Sequence, residues 1–285
     1  MANETRTPGK HGVVPRDPDR YVPFLEHYLR PWDGQLAPGP DARHPARIAV
    51  GTTGTIPPVS STQVIDRAQR ISDWRMYLND QLGDCTIARA AHSFDAQRVY
   101  AGYSPAVFSD QVIVSTYSAC GGYVPGNPST DNGCQEPDVL NYLMHTGMVD
   151  EAGYTHKLAG WAAFKDPTDL SLMTAALSTF GTVVVDIAVQ QAQEDQFSAG
   201  QPWQYVPGSP LLGYHSIAFQ YRGVGYTGVY EMVTWGLLQR STRMFGHHQI
   251  KEAYVPVSAD FIQANGVTVQ GMDLEQLLAD MPGVE

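Results

Sequence analysis

The sequence predicts an α+β fold entered through an extended arm, and three observations carry that reading. Ten of the 20 prolines fall within residues 1–60, a density that excludes long helices and central strands. Between about residues 70 and 180 apolar side chains recur at helical spacing. Between about 181 and 260 the texture turns β-branched and alternating. Helices first and strands later describe two subregions meeting at a seam.

The elements follow in order. Residues 1–69 form the Pro-rich arm, with one short helix expected near Phe24–Leu29. Tyr21, Phe24, Tyr28 and Trp32 give it apolar surface to bury, which a solvated tail lacks. Such an arm wraps either its own domain or a neighbouring subunit. The helical subdomain, 70–180, opens with a helix at Cys85 that puts Ile87, Ala91 and Phe94 on one stripe and Gly102 just past its end. Pro137 opens a second helix, with Val139, Leu140, Leu143 and Met144 inward and Gly147 as the stop. Asp169 to Phe180 gives another, closed by Gly181. In the β-rich subdomain, 181–260, the strands are Thr182–Val189, His215–Tyr221, Gly228–Trp235 and Glu252–Val257. Gly223, Gly225 and Gly228 follow a strand without opening a helix, so they mark a hairpin rather than a phosphate loop. Residues 261–285 form a tail with a helix over Asp273–Met281.

Composition narrows the function classes. Eighteen basic against 29 acidic residues leave a net charge of -11, which argues against nucleic acid and against anionic membranes as partners. No run approaches the roughly 18 apolar residues of a membrane span. The N-terminus, MANETRTPGKHG, lacks the apolar stretch of a Sec-type signal, so synthesis in the cytoplasm is expected. Three cysteines, Cys85, Cys120 and Cys134, are too few for a disulfide scaffold and leave at least one thiol free. The turn-rich loop GGYVPGNPSTDNG can bring Cys120 and Cys134 together, bridged or not.

The stretch Asn-Asp-Gln-Leu-Gly-Asp-Cys-Thr, residues 79–86, carries the chemistry. A helix N-terminus lowers a thiol's pKa through its unpaired N–H groups, and a neighbouring imidazole completes the activation. A lone helix-start cysteine is more often a small core residue, so further features have to shift the balance. Asp73-Trp74-Arg75 and the run through Asn79 to Cys85, the segments from Phe108 to Cys120 and from Gly133-Cys134, Val183 to Phe197, His215-Ser216-Ile217-Ala218 and Trp235-Gly236 occur in an order that resembles the papain-like cysteine peptidases over residues 70–260.

The resemblance implies a papain-like fold and assigns roles. Cys85 would be the nucleophile, His215 the general base, Gln81 with the Cys85 backbone N–H the oxyanion donors, and Trp235 the shield of the imidazole. No metal or organic cofactor is implied. Two departures stand out. Gln81 lies four residues before Cys85, whereas Asn79 holds the family's six-residue spacing, so either amide could serve. Val233 occupies the place of the asparagine that orients the histidine, and valine offers no hydrogen bond. Glu231, two residues earlier on that strand face, is the candidate substitute.

His92, two turns along the Cys85 helix, reads as a packed residue. His145 and His247-His248 have no second cluster at ligand spacing, so no metal site is expected. The function implied is peptide or amide hydrolysis by thiol acyl transfer, weakened at Val233. The rival is a non-catalytic protein that keeps the fold. The run at 79–86, the Pro-rich arm and Val-Thr-Trp-Gly also resemble a papain-like group of actinobacteria and their tailed phages. That likeness implies a structural or binding role on a virion, capsid or tail, held there or to an oligomer by the arm.

Overall fold

The structure is a computed structural model that describes residues 6–20, 24–25, 29–30, 54–55, 65–66, 71–222 and 230–261. The elements are the two-residue strands β1 (Leu29–Arg30), β2 (Gly54–Thr55), β3 (Ile65–Asp66), β4 (Met148–Val149) and β5 (Thr155–His156), the longer strands β6 (Leu158–Ala163), β7 (Val183–Gln190), β8 (Leu211–Arg222), β9 (Tyr230–Thr234), β10 (Leu237–Ser241) and β11 (Ile250–Ser258), and the helices α1 (Cys85–Tyr100), α2 (Asp110–Gly121), α3 (Glu136–His145), α4 (Leu170–Phe180), α5 (Gln191–Ser198) and α6 (Arg243–Gln249).

An antiparallel sheet in the order β10-β9-β8-β7-β11-β6 divides two cores, with β3 paired to the far end of β8. On one face Val183, Val185, Ile187 and Val189 pack with Met173, Leu177, Phe197, Trp203 and Phe245. On the other, Val184 and Tyr254 pack with Ile87, Phe94, Tyr117, Val139 and Leu140 of the first three helices. Both faces of β7 are therefore covered, which is why Val-Val-Val-Asp-Ile-Ala-Val is buried throughout and reads as a continuous apolar run. The α+β architecture expected from the sequence is present.

The helix ends follow ordinary capping chemistry. Asp169 accepts the N–H groups of Ser171 and Leu172, and Gly181 closes that helix in the left-handed conformation, which costs glycine little. Pro137 sits in the first turn of α3, where its missing N–H is harmless. Phe24 bridges Ala163, Leu25 is in a 3-10 helical turn and Leu29 starts an extended pair with Gly54; the remainder of the short helix expected near Phe24–Leu29 lies outside the described residues. The helix expected over Asp273–Met281 and the glycine turn at 223–229 lie outside the described residues.

Some elements carried little signal. The sequence Leu-Ala-Gly-Trp-Ala-Ala of β6 has no β-branched residue, and Leu-Leu-Gln-Arg-Ser of β10 does not alternate. Both are strands because they pair with β11 and β9, a case of tertiary context overriding propensity. In α6, Arg-Met-Phe-Gly-His-His-Gln has a glycine in the middle and is capped by Thr242.

A buried ion pair joins the two layers. The Arg89 guanidinium, one turn along α1 from Cys85, pairs with Glu136 at the start of α3. The other Glu136 oxygen accepts the Ser216 hydroxyl of β8 at 3.0 Å. Arg89 and Glu136 are 1% and 0% exposed, so neither charge has water to fall back on. Arg89→Leu should therefore destabilise the protein by about 3–5 kcal/mol, because it strands a buried carboxylate. Urea denaturation followed by circular dichroism would measure this, and a loss within error of zero would contradict it.

Candidate functional site

Cys85 opens α1 and Asp84 is its N-cap residue, but the Asp84 carboxylate does not cap the helix. It accepts instead from the Asn79 amide at 3.3 Å. Tyr77 and Leu78 immediately upstream both have positive φ, 52° and 66°, a costly conformation for side-chain-bearing residues. That turn aims Asn79 inward. Asn79 is buried and donates to the carbonyl oxygens of Lys10 and Leu82, each at 3.2 Å. Gln81 is exposed, so of the two amides it is Asn79, at the six-residue spacing, that lies in the site.

The Cys85 sulfur accepts the backbone N–H of Ser216 at 3.5 Å. Ser216 directly follows His215 on β8, so the sulfur lies beside the histidine's own backbone. His215 Nε2 meets Thr234 Oγ1 at 2.8 Å, and its ring stacks on Trp235 at 4.8 Å between centroids. His215 Nδ1 is buried and has no hydrogen-bond partner among the described residues. Trp235 and Gly236 both have positive φ, 46° and 71°. They form the two-residue turn between paired Thr234 and Leu237, as such hairpin turns require. At Gly236 a Cβ would lie 2.7 Å from the Trp74 carbonyl oxygen. The turn places the indole over the imidazole.

The partner of His215 is therefore Thr234, one residue beyond the expected position. Val233 packs with Ile71, Trp74, Ala96 and Val99, on the sheet face opposite His215. Glu231 alternates with Thr234 and so shares the face of Val233. The valine that replaces the family's asparagine thus does not leave the imidazole without a hydrogen bond. Alternation along β9 was the signal: Thr234 shares a face with Met232, whose partner Phe219 shares a face with His215.

A second feature escaped the sequence reading. Residues 9–13 of the arm lie over Cys85 and His215, and the described residues on either side of them, 6–20, run on across the globular part. The backbone N–H of Lys10 donates to Asn79 O at 2.7 Å, that of Cys134 to Gly12 O at 2.9 Å, that of Val14 to Cys134 O at 2.9 Å and that of Val13 to Tyr214 O at 3.2 Å. Side chains add Lys10 to Asp131 at 2.9 Å, His11 to Glu194 at 3.2 Å and Arg20 to Asp138 at 2.8 Å. The His11 ring lies 6.0 Å from both His215 and Trp235. Residues 6–20 thus lie against the chain's own globular part.

Burial under the arm sets the electrostatics. Desolvation pushes the Cys85 thiol up to about 12, against the N–H groups of Ser216 and Gly12, with the nearby carboxyls of Asp186 and Asp84 adding to the rise. Desolvation also pushes His215 well below its usual value, with His11 and His92 acting in the same direction. Thiol and imidazole are both neutral in this arrangement.

The remaining candidates are structural. His92 Nε2 lies 2.8 Å from Arg75 O, between the rings of Trp74 and Tyr77. His248 stacks on Tyr205, and His145 contacts Asn141 O. Among the described residues no three metal-ligating side chains converge. Cys85, Cys120 and Cys134 are all free.

The course of the chain is similar to that of several solved cysteine proteases. Xylellain, a cysteine protease from Xylella fastidiosa, matches with a TM-score of 0.59 at 12% identity, over 90% of this chain and 99% of that one. Procathepsin B S9 from Trypanosoma congolense matches at 0.54 and 10%, over 88% and 86%. The bromelain protease from Ananas comosus, solved with the E64 inhibitor, matches at 0.50 and 14%, over 68% and 98%. No protein-family model and no curated protein sequence matches the chain. Identities this low establish the papain-like fold and nothing finer about activity.

The buried titrating groups give the site a pH signature. Burial raises Asp84 and Asp95 to about 8 and Asp186 to about 7. Each holds a proton when folded that it loses when unfolded, so the stability it contributes is lost as pH rises from about 4 through the folded values. Burial lowers His11, His92 and His215, whose contribution is lost as pH falls below 6.5. The two sets oppose each other below 6.5, and above it the carboxyls act without opposition from these histidines. The melting temperature should therefore fall between pH 6.5 and 8 in calorimetry, and a flat or rising profile would show that these carboxyls are ionised.

Proposed function

We propose that the protein is a papain-like thiol hydrolase that cuts peptide or amide bonds, held latent by its own N-terminal arm. The observation that carries this reading is the placement of the Cys85 sulfur on the N–H of Ser216, beside a histidine fixed by Thr234 and Trp235. A thiol meant only to fill space needs none of these surroundings.

With the arm displaced, the Thr234 hydroxyl accepts the Nε2–H of His215 and leaves the Nδ1 lone pair for the thiol proton. The sulfur attacks the substrate carbonyl carbon, and the carbonyl π pair moves to oxygen, held by the Asn79 amide and the Cys85 backbone N–H. Collapse breaks the C–N bond, and the departing amine takes the proton from the imidazolium. Water, deprotonated by His215, then adds to the thioester and expels the thiolate, which recovers the proton.

The arm lies in the groove unlike a substrate: Gly12, the residue on the Cys85 sulfur, has its carbonyl oxygen taken by the N–H of Cys134, and it is the carbonyl of a different residue, Lys10, that occupies the Asn79 amide. A non-catalytic role on a virion surface draws support from one observation, the sealed neutral state of Cys85 and His215. The same experiment decides between the two readings.

A Cβ at Gly12 would lie 1.7 Å from the Gly83 carbonyl oxygen, so Gly12→Ala should lift the arm. Iodoacetamide labelling of Cys85 at pH 7, read by mass spectrometry, should then rise at least about tenfold over wild type as the thiol regains solvent. Hydrolysis of a generic peptide ester should appear with it and vanish on adding His215→Ala. An exposed Cys85 that labels but supports no hydrolysis would favour the binding role.

Within the Gly12→Ala background, Thr234→Val should lower hydrolysis by about 10²-fold or more, since loss of an orienting partner can cost up to ~10⁴, while Thr234→Ser should retain most of it. Val233→Asn should give no gain in rate and should cost roughly 1–3 kcal/mol for an unpaired amide in an apolar cluster. A rate gain from Val233→Asn would restore Val233 as the orienting position.

A further inference from the structure

We propose that Asp186 is a further positioning residue for the reaction: it is the carboxyl beneath Cys85 that keeps its proton, and the loss of that proton sets the alkaline limit of the sulfur's reactivity. This rests on the thiol hydrolase reading above and names a control on the same site.

A polar row crosses the sheet under the nucleophile. Asp186 on β7 lies directly opposite Ser216 on β8 and, on its other side, directly opposite Glu252 on β11. Residues opposed in this way project to the same face, here the face on which Val184 and Tyr254 meet the helices. Asp186 and Ser216 are buried. Cys85 and Arg89 of α1 and Glu136 of α3 meet the row from the helical side.

Counting charges identifies the group that keeps a proton. The carboxyls of Glu136, Asp186 and Glu252 share this space with a single buried guanidinium, that of Arg89. Arg89 is paired with Glu136, which also accepts the Ser216 hydroxyl at 3.0 Å. Glu252 accepts the Arg16 backbone N–H at 2.9 Å and the Tyr254 hydroxyl, with Arg16 Nε 4.0 Å away. Asp186 has no cation to itself. Burial, with the Glu252 carboxylate adding, raises it to about 7, against the Ser216 hydroxyl and the Arg89 guanidinium. A buried carboxyl beside an ionised one, whose nearest cation already has a partner, holds its proton. The other titratable groups around it are Tyr254 of β11, Cys120, which faces Arg89 from α2, and Asp84 at the head of α1.

The sulfur feels whether that proton is present. Ser216 gives Cys85 its backbone N–H at 3.5 Å and gives Glu136 its hydroxyl. An ionised Asp186 competes with Glu136 for that hydroxyl and for Arg89, and so pulls on the residue that holds the sulfur. It also adds a negative charge that opposes the thiolate. As pH rises and Asp186 loses its proton, the gain in thiolate at Cys85 is therefore held back.

The test uses the full chain with Gly12→Ala to free the groove, alone and combined with Asp186→Asn, which keeps the shape and removes the charge. Circular dichroism checks each fold. Iodoacetamide labelling of Cys85, timed by mass spectrometry, should lie within about twofold of the parent at pH 5.5. At pH 8.5 it should be about tenfold faster, because removing a nearby like charge raises the thiolate fraction by about that factor. Infrared difference spectra of the wild-type chain against Asp186→Asn at pH 6 should show one protonated carboxyl missing from the variant. Glu252→Gln should move the titration of that band to lower pH. The infrared measurement needs neither an open groove nor a reactive thiol. Equal labelling at pH 8.5, or no missing carboxyl, would overturn the proposal. Equal acceleration at both pH values overturns it too, since that reports a loosened site. If Asp186→Asn does not fold, Glu252→Gln decides: a band that titrates unmoved sinks the role of Asp186. Hydrolysis of a peptide ester by the same chains separates the two readings. The stated labelling pattern without hydrolysis upholds Asp186 as the control on the thiol and sinks the hydrolase. Hydrolysis with no difference in labelling sinks Asp186 alone. If Cys85 labels in none of these chains, both fall.

Discussion

The Arg89–Glu136–Ser216 network is the constraint on which the site's geometry depends. Its three members come from α1, α3 and β8, the helix that carries Cys85, the helix that follows the Gly133–Cys134 wall, and the strand that carries His215. A guanidinium and a carboxylate without water are tolerable only when each finds the other. The pair therefore dictates how close α3 comes to α1, and the Ser216 hydroxyl dictates the height of β8 against both. Since Ser216 also presents its N–H to the sulfur, the residue that closes the network is the one that fixes the thiol beside the histidine. Asp186 faces the same space from β7, opposite Ser216 in the sheet register. Its carboxyl is fully buried, and desolvation together with the nearby Glu252 carboxylate raises it to about 7, against the Ser216 hydroxyl and the Arg89 guanidinium.

The arm completes what the network begins. A groove edged by the backbone of Asn79, Cys134 and Tyr214 presents N–H and C=O groups that need partners, and an extended chain is the natural way to satisfy them. Residues 10–14 do so with four backbone hydrogen bonds and need few side chains for it. Proline on either side, at Pro8 and Pro15, keeps the segment extended at small entropic cost. The glycines at 9 and 12 supply thinness where a Cβ would meet the backbone of Asn79 and of Gly83.

Much of the fold was legible because it follows from periodicity. The stripe from Cys85, Pro137 in the first turn of its helix, the Asp169 cap with Gly181, and the four strongest strands all appear where the pattern put them, within the usual uncertainty of element ends. Strands β6 and β10 were not legible, since only their neighbours make them strands. Of the candidate site, residue types and spacing singled out Cys85 and His215, and in the structure the Cys85 sulfur meets the backbone N–H of Ser216, the residue after His215. What orients the histidine was not, because a one-residue offset on a strand reverses the face. Val233 was the position the motif indicated, and Thr234 is the side chain that arrives. The arm's place in the groove was equally hidden, since nothing in a proline-rich segment says which groups its backbone will meet.

Burial also explains why Cys85 and His215 are both neutral beneath the arm. A helix N-terminus and two backbone N–H groups favour a thiolate at Cys85, yet loss of water outweighs them, and the carboxyls of Asp84 and Asp186 act with desolvation. The same loss of water keeps His215 neutral, so no ion pair forms beneath the arm. Returning water to the groove weakens the largest of these terms and leaves the helix and the Ser216 N–H in place, while the Gly12 N–H departs with the arm. The same water favours the ionised form of the Asp84 and Asp186 carboxyls, whose rise is itself led by desolvation, and once ionised they oppose a thiolate at Cys85, so opening the groove acts on the sulfur in two opposing ways.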